Sequence, residues 1–191
     1  ILFRLVGSEM CIRDSCDIEV HRCSIDDATS QMTQWLSDSN SDVGFFIDAD
    51  ASQLTVFDET GKRLLDDHVL MLLIQESLAR HPGNDVLLGP RASRLLPAFI
   101  TQCGGASSIA TSAPQVIQRE MQNKGALVGG DSAGAVYIRD RWLGSNDPLY
   151  GAARLAEIIC NSDSRLSALV EALPTISTCL LYTSDAADDL G

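Results

Sequence analysis

Between Val43 and Gly61 the chain reads VGFFIDADASQLTVFDETG: an apolar run, a small-residue turn carrying Asp48 and Asp50, then a second apolar run. No other stretch restricts the fold so closely. Val43, Phe45, Phe46 and Ile47 are bulky, β-favouring and almost uninterrupted, which predicts a strand buried on both faces, as in α/β proteins. Leu54, Val56 and Phe57 repeat the signal, and Asp58-Glu59-Thr60-Gly61 ends it in a turn. Two aspartates two residues apart at the end of a buried strand repel one another unless a cation or a proton offsets the charge. A hard divalent ion such as Mg2+, which takes oxygen ligands, is the offset this pattern predicts; the alternative is a solvated Asp-rich turn.

The rest of the chain bounds what such a loop can serve. Its 191 residues suffice for one good core or two small ones, and 45% hydrophobic content fits a globular protein. With 14 Lys+Arg against 26 Asp+Glu, the formal net charge of −12 opposes nucleic acid and anionic membrane as partners. A phosphorylated small molecule remains compatible, held by local arginines and backbone amides. Cys11, Cys16, Cys23, Cys103, Cys160 and Cys179 form no C-x-x-C pair and no zinc spacing with the histidines. Reduced thiols of a cytoplasmic protein are the expectation. No apolar run reaches membrane-spanning length; Ile1 to Ile12 is too short and is broken by Arg4, Ser8 and Glu9.

In chain order, Ile18 to Arg22 is β-like, and an Asp26-led helix follows with Met32, Trp35 and Leu36 on one face. After the Asp48 loop, Leu64 to Arg80 predicts a helix with Leu65, Val69, Leu72, Leu73 and Leu78 at helical spacing, stopped by Pro82-Gly83. Then strands Asp85–Leu88, Ala106–Thr111, Ala126–Val128 and Val136–Arg139 alternate with helices Ser93–Cys103 and Gln115–Asn123, and helices Pro148–Cys160 and Ser164–Leu173 close the series. Leu149, Ala152, Ala153, Leu155, Ala156 and Ile159 mark the buried side of the first of these two. The rhythm predicts an α/β fold, a mixed, mostly parallel sheet sandwiched by helices, with ligands in the turns beyond the strand ends. His68 and His81 have no partner at metal spacing, Trp35 and Trp142 read as packing residues, and Cys103 and Cys160 read as buried apolar positions.

Asp48 to Gly61 aligns without a gap on D-G-D-A-D-R-L-x-V-x-D-E-x-G, and three further stretches match the same family in order. Arg91-Ala92-Ser93-Arg94-Leu95-Leu96-Pro97 resembles K/R-C-S-R-A-L-P. Gly129-Gly130-Asp131-Ser132-Ala133-Gly134 resembles G-G-E-M-S-G, and the fifteen residues from Arg141 to Leu155 resemble R-W-Y-G-F-D-D-G-L-Y-A-A-A-R-L. Together they resemble the α-D-phosphohexomutases, the family of phosphomannomutase and phosphoglucomutase, over roughly Asp42 to Pro174. The resemblance implies the end of a second domain in residues 16–64 and a third domain in 65–174, preceded by a partial α/β domain. It also implies an enzyme that interconverts hexose 1- and 6-phosphates through a phosphoserine lying outside the chain, so that this fragment is inactive. Asp48, Asp50 and Ser52 would be the metal positions for Mg2+, and Arg91, Gly130, Asp131, Ser132 and Ala133 would meet a phosphorylated hexose.

The departures are part of the reading. Ser52 stands where the third metal carboxylate belongs and Gln53 where the arginine belongs, which weakens the expected Mg2+ site. Asp131 is one methylene shorter than the family's Glu, Ala133 and Ala135 replace a serine and a histidine, and Ala113-Pro114 replaces Gly-His. A haloacid-dehalogenase-like phosphatase is the rival, with Asp48 as nucleophile, Asp50 as acid/base, Lys124 as charge neutraliser and Asp131 on the metal. A non-catalytic sugar-phosphate-binding paralogue is the third possibility. Residues 1–15 and 179–191 resemble translated sequencing-adapter read-through, so 1–15 and the tail 175–191 are given no role. Oligomeric state and sugar identity are not readable.

Overall fold

The computed structural model describes residues 21, 23–110, 114–131 and 133–174. Both tails, Ser132, and all of the β-like piece except His21 lie outside them. Helix α1 (Ile25–Ser39) begins one residue before the expected Asp26 because Ser24 and Asp27 form a reciprocal cap. The Ser24 hydroxyl accepts the Asp27 N–H at 3.1 Å, and the Asp27 carboxylate takes the Ser24 N–H at 3.3 Å. Strands β1 (Val43–Ile47) and β2 (Leu54–Asp58) pair antiparallel, Ile47 opposite Leu54.

This hairpin corrects the reading of β1 as a strand buried on both faces in a parallel sheet. Only Gly44 and Ile47 of β1 are buried. Phe45 packs toward the main core and Phe46 toward α1, each half-buried, and among the described residues no further strand pairs with the hairpin. The inner strand β2 is buried throughout, with Leu54 and Val56 in the main core and Phe57 against Ala28, Met32 and Leu36 of α1.

Next come helix α2 (Asp66–Arg80), strand β3 (Asp85–Leu88), helix α3 (Leu95–Gln102), strand β4 (Ala106–Ile109), helix α4 (Pro114–Lys124) and strands β5 (Val128–Gly130) and β6 (Val136–Ile138). The sheet order is β4-β3-β5-β6; β4 and β5 run parallel to β3, and only β6 is antiparallel. The mixed, mostly parallel α/β sheet expected from the rhythm is therefore present. Alternation along each strand sorts the two faces. Val86, Leu88, Val128, Val136 and Ile138 meet α2, α3 and the later helices, whereas Leu87 and Tyr137 meet Ile117 and Met121 of α4. At about 25 cal/mol per Å2, these two layers supply most of the driving force.

Two helices differ from their predicted faces. Leu65 does not join the buried side of α2; it precedes the first turn and is 41% exposed. In α5 (Pro148–Cys160) the buried side is Pro148, Gly151, Ala152, Arg154 and Leu155, while Leu149 and Ala153 face solvent. The short helix α6 (Leu166–Glu171) ends the described chain. Cys103 is half-buried at the end of α3 and Cys160 is exposed, so neither is a core residue. Trp35, within α1, is half-buried, and Trp142, 45% exposed, stacks on Tyr150 with ring centroids 4.7 Å apart.

Arg154 is the buried cation among the described residues, alongside buried Asp58, Asp67 and Asp140. Its side chain, 4% exposed, bonds Glu76 at 2.6 Å and Asp140 at 3.4 Å, and lies 3.1 Å from Glu157. Arg80 also pairs with Glu76 and Asp140, joining the end of α2 to the segment after β6. Burial pushes the Asp140 carboxyl up, but Arg80, Arg154 and His81 outweigh it and hold the group below its ordinary value. A carboxyl held low only in the folded state stabilises the fold above its unfolded value, and that contribution is lost as pH falls through the folded value.

Two outcomes follow. Arg154→Ala, which leaves Asp140 and Glu76 short of a partner, should cost about 3 kcal/mol in urea unfolding. The Asp140 share of the stability should be constant near neutrality and decline below about pH 4, the ordinary Asp range. That acid-dependent part should shrink in Asp140→Asn, and an unchanged acid profile would remove Asp140 from the explanation.

Candidate functional site

β4 lies on one side of β3 and β5 on the other, so the loops leaving β3 and β5 stand side by side at the carboxyl ends of the strands, the edge at which open α/β sheets take their ligands. Arg91 follows β3 and Asp131 follows β5, and the structure brings them together: Arg91 Nη2 lies 3.0 Å from Asp131 Oδ2. The backbone N–H of Ala133 donates to Asp131 Oδ1 at 3.0 Å. Ala133 thus works through its amide, which any residue supplies. Gly130 also acts through the backbone, its carbonyl accepting the Gly89 N–H at 2.8 Å. Gly89 has no space for a side chain, since a Cβ there would sit 2.6 Å from the Asp131 Cβ. Ser132 lies outside the described residues.

The Asp48 loop stands beside this turn. Leu54 N–H donates to the Gly134 carbonyl at 3.0 Å, and Gly134 can offer it because its φ of +78° suits only glycine well. Asn146 makes the second link: its Nδ2 donates to the Ser52 carbonyl at 2.7 Å and its Oδ1 accepts the Val136 N–H at 3.1 Å. Within the loop, Asp48 Oδ1 accepts the N–H groups of Ser52 and Gln53 at 2.7 and 2.9 Å, and Oδ2 accepts the Ser52 hydroxyl at 2.8 Å. Burial raises the Asp48 carboxyl, but the Gln53 and Ser52 donors together with the Asp50 side chain outweigh it and hold the group below its ordinary value. Asp50 is exposed.

The donor set for Mg2+ falls short here. Asp48 and Asp50 supply two carboxylates, Ser52 spends its hydroxyl proton on Asp48, and no three His, Cys, Asp or Glu side chains cluster as ligands among the described residues.

Several residues with a part in the site carry no obvious sequence signal. Asn146 reads as half of a paired acid but is a bolt between two loops, and Asp147 caps α5 through the Tyr150 N–H at 2.9 Å while accepting Trp142 Nε1 at 2.8 Å. Asp66, the first residue of α2, lies near enough to Asp131 to feel its charge. Burial pushes its carboxyl up and the nearby Asp131 adds to the rise, while Arg63 opposes it. A surface cleft of about 310 Å3 lies elsewhere, between Asp42 and Glu59 on one side and Asp163 and Arg165 on the other.

The phosphatase reading meets two obstacles in this geometry. Lys124 ends α4, before β5, so it lies at the opposite end of that strand from Asp131. The strand preceding Asp48 belongs to an antiparallel hairpin, not to the parallel sheet on which that chemistry is expected.

Comparison with known proteins agrees with the family resemblance. Residues 66–176 match the model of the phosphoglucomutase/phosphomannomutase α/β/α domain III. A phosphomannomutase/phosphoglucomutase of Pseudomonas putida is 32% identical over 144 residues, 75% of this chain and 31% of that protein. A phosphoglucomutase of Neisseria gonorrhoeae is 35% identical over 143 residues, with the same shares covered. A phosphoglucomutase/phosphomannomutase family protein of Burkholderia thailandensis has a crystal structure that superposes with a TM-score of 0.70 at 29% identity, covering 78% of this chain and 32% of that one. The chain therefore spans about a third of the length of these relatives. It belongs to the phosphoglucomutase/phosphomannomutase family, in which residues 66–176 are the third α/β/α domain.

Proposed function

We propose that this chain is the sugar-reading part of a phosphohexomutase that interconverts hexose 1-phosphate and hexose 6-phosphate, an intramolecular phosphotransferase of carbohydrate metabolism. The observation that carries the reading is the Arg91–Asp131 pair at the carboxyl ends of β3 and β5. Arg91 offers a planar, permanently charged donor to a phosphate, and Asp131, fixed by the Ala133 amide, offers an acceptor to sugar hydroxyls. The Arg91 side chain is 69% exposed, so its pairing with Asp131 contributes at most about 1 kcal/mol and is readily exchanged for a ligand phosphate.

The phosphoryl carrier of this reading is a phosphoserine outside these 191 residues, so the chain by itself binds and does not turn over. No step of the proposal passes through a metal ion. A hexose phosphate is a cytoplasmic metabolite, and the absence of any pattern for a disulfide framework in the sequence supports that location. Among the described residues no helix is long and apolar enough to cross a membrane.

Calorimetry with glucose 6-phosphate and mannose 6-phosphate tests the reading. Arg91→Met should weaken binding about tenfold, the value of one charge-assisted contact, and change stability by no more than about 0.5 kcal/mol. Inorganic phosphate should compete and neutral glucose should not. Equal binding by wild type and Arg91→Met would contradict the assignment, and mutase turnover by this chain alone would contradict the placement of the carrier.

A further inference from the structure

The loop from Asp48 to Gln53 closes on itself. An ionised carboxylate has about four lone-pair positions, and Asp48 spends three on the Ser52 N–H, the Gln53 N–H and the Ser52 hydroxyl. Each donor aims a partial positive charge at the carboxylate, the service a cation would otherwise give. The backbone agrees with a tightly determined turn. Ala51 holds a φ of +54°, a left-handed conformation costing a residue with a Cβ about 1 kcal/mol, and its N–H donates to the Asp48 carbonyl at 3.1 Å. Such a conformation persists only where its surroundings over-determine it.

Ser52 is also tied outward. Its carbonyl takes the Asn146 amide at 2.7 Å, and Asn146 in turn takes the Val136 N–H at the base of the turn that carries Asp131. One residue thus satisfies the aspartate on one side and docks the loop to the sheet on the other. A carboxylate at position 52 could donate no proton to Asp48, and would need a cation between the two.

We infer that Ser52 replaces a cation in organising this loop: the Asp48 turn is a metal-independent bracket, set by the Asp48–Ser52–Asn146 chain of hydrogen bonds. Mg2+ has no part in shaping it. The inference concerns the loop alone and is independent of sugar binding at Arg91 and Asp131. Hexose phosphate binding can persist if the loop proves to need Mg2+, and the loop can be metal-independent if no sugar phosphate binds.

Amide hydrogen exchange at Ser52 and Gln53, measured by NMR on the full chain in EDTA and in millimolar Mg2+, separates the cases. The Leu87 amide, in the buried centre of the sheet, reports global unfolding in the same samples. Wild-type rates should agree within about twofold with and without Mg2+, and Ser52→Ala should exchange at Gln53 roughly tenfold faster than wild type at unchanged Leu87 protection. Ser52→Thr, which keeps the hydroxyl, should restore the wild-type rate, and it serves as the reading if Ser52→Ala also opens Leu87. Slowing of the wild-type loop by Mg2+ of about tenfold or more would overturn the inference, as would a Ser52→Ala chain whose loop exchanges like wild type.

Discussion

The hairpin and the sheet meet at two hydrogen bonds, Leu54 N–H to the Gly134 carbonyl and Asn146 to the Ser52 carbonyl. Everything at the candidate site depends on that junction. Without it the Asp48 loop would be an appendage of β1 and β2, and the Asp131 turn a simple reversal between β5 and β6. With it, groups more than ninety residues apart are joined at the carboxyl ends of the sheet strands. The hydrophobic core reinforces the arrangement, because Leu54, Val56 and Leu64 pack in the same cluster as α2, α5 and the sheet.

The site is built largely from backbone groups and glycine-permitted approaches. Gly89 leaves room for Asp131, Gly134 turns its carbonyl toward Leu54, and the Ala133 amide fixes the acid that Arg91 pairs with. This explains why loss of a hydroxyl at Ala133 and of an imidazole at Ala135, relative to the family pattern, leaves the framework standing. What those replacements alter is the set of groups offered to a ligand, not the loops that offer them. The buried Arg154 network plays a different part: it ties α2, α5 and the segment after β6 together at Asp140 and Glu76.

Much of the fold was legible because periodicity and punctuation agreed. Strand Asp85–Leu88 and helix Pro148–Cys160 fall where the pattern places them, since the first is a short apolar run and the second begins with Pro and carries an apolar side at helical spacing. The strand before Asp48 stands where the pattern puts it, but its neighbours were not readable because an apolar run does not say what lies beside it; a hairpin covered by α1 and by the core gives the same run as a strand buried on both faces. The buried Arg154 escaped notice because an arginine on a helix normally predicts solvent, and only Glu76 and Asp140, distant in sequence, make its burial tolerable. Within the site, Asp48, Arg91 and Asp131 were readable as chemistry-bearing groups at motif positions. Asn146 was not, because its part is defined by two backbone partners that have no sequence signature.

The account turns on the hairpin and the third-domain turn acting as one ligand-facing unit. Chemical-shift mapping of backbone amides during titration with glucose 6-phosphate tests that most directly. The account predicts that the largest shifts fall together on residues next to Arg91, on Ala133 and on Ser52 to Leu54, with a single apparent affinity. Shifts confined to a surface remote from these loops, or the Arg91 and Ser52 regions titrating independently, would contradict it.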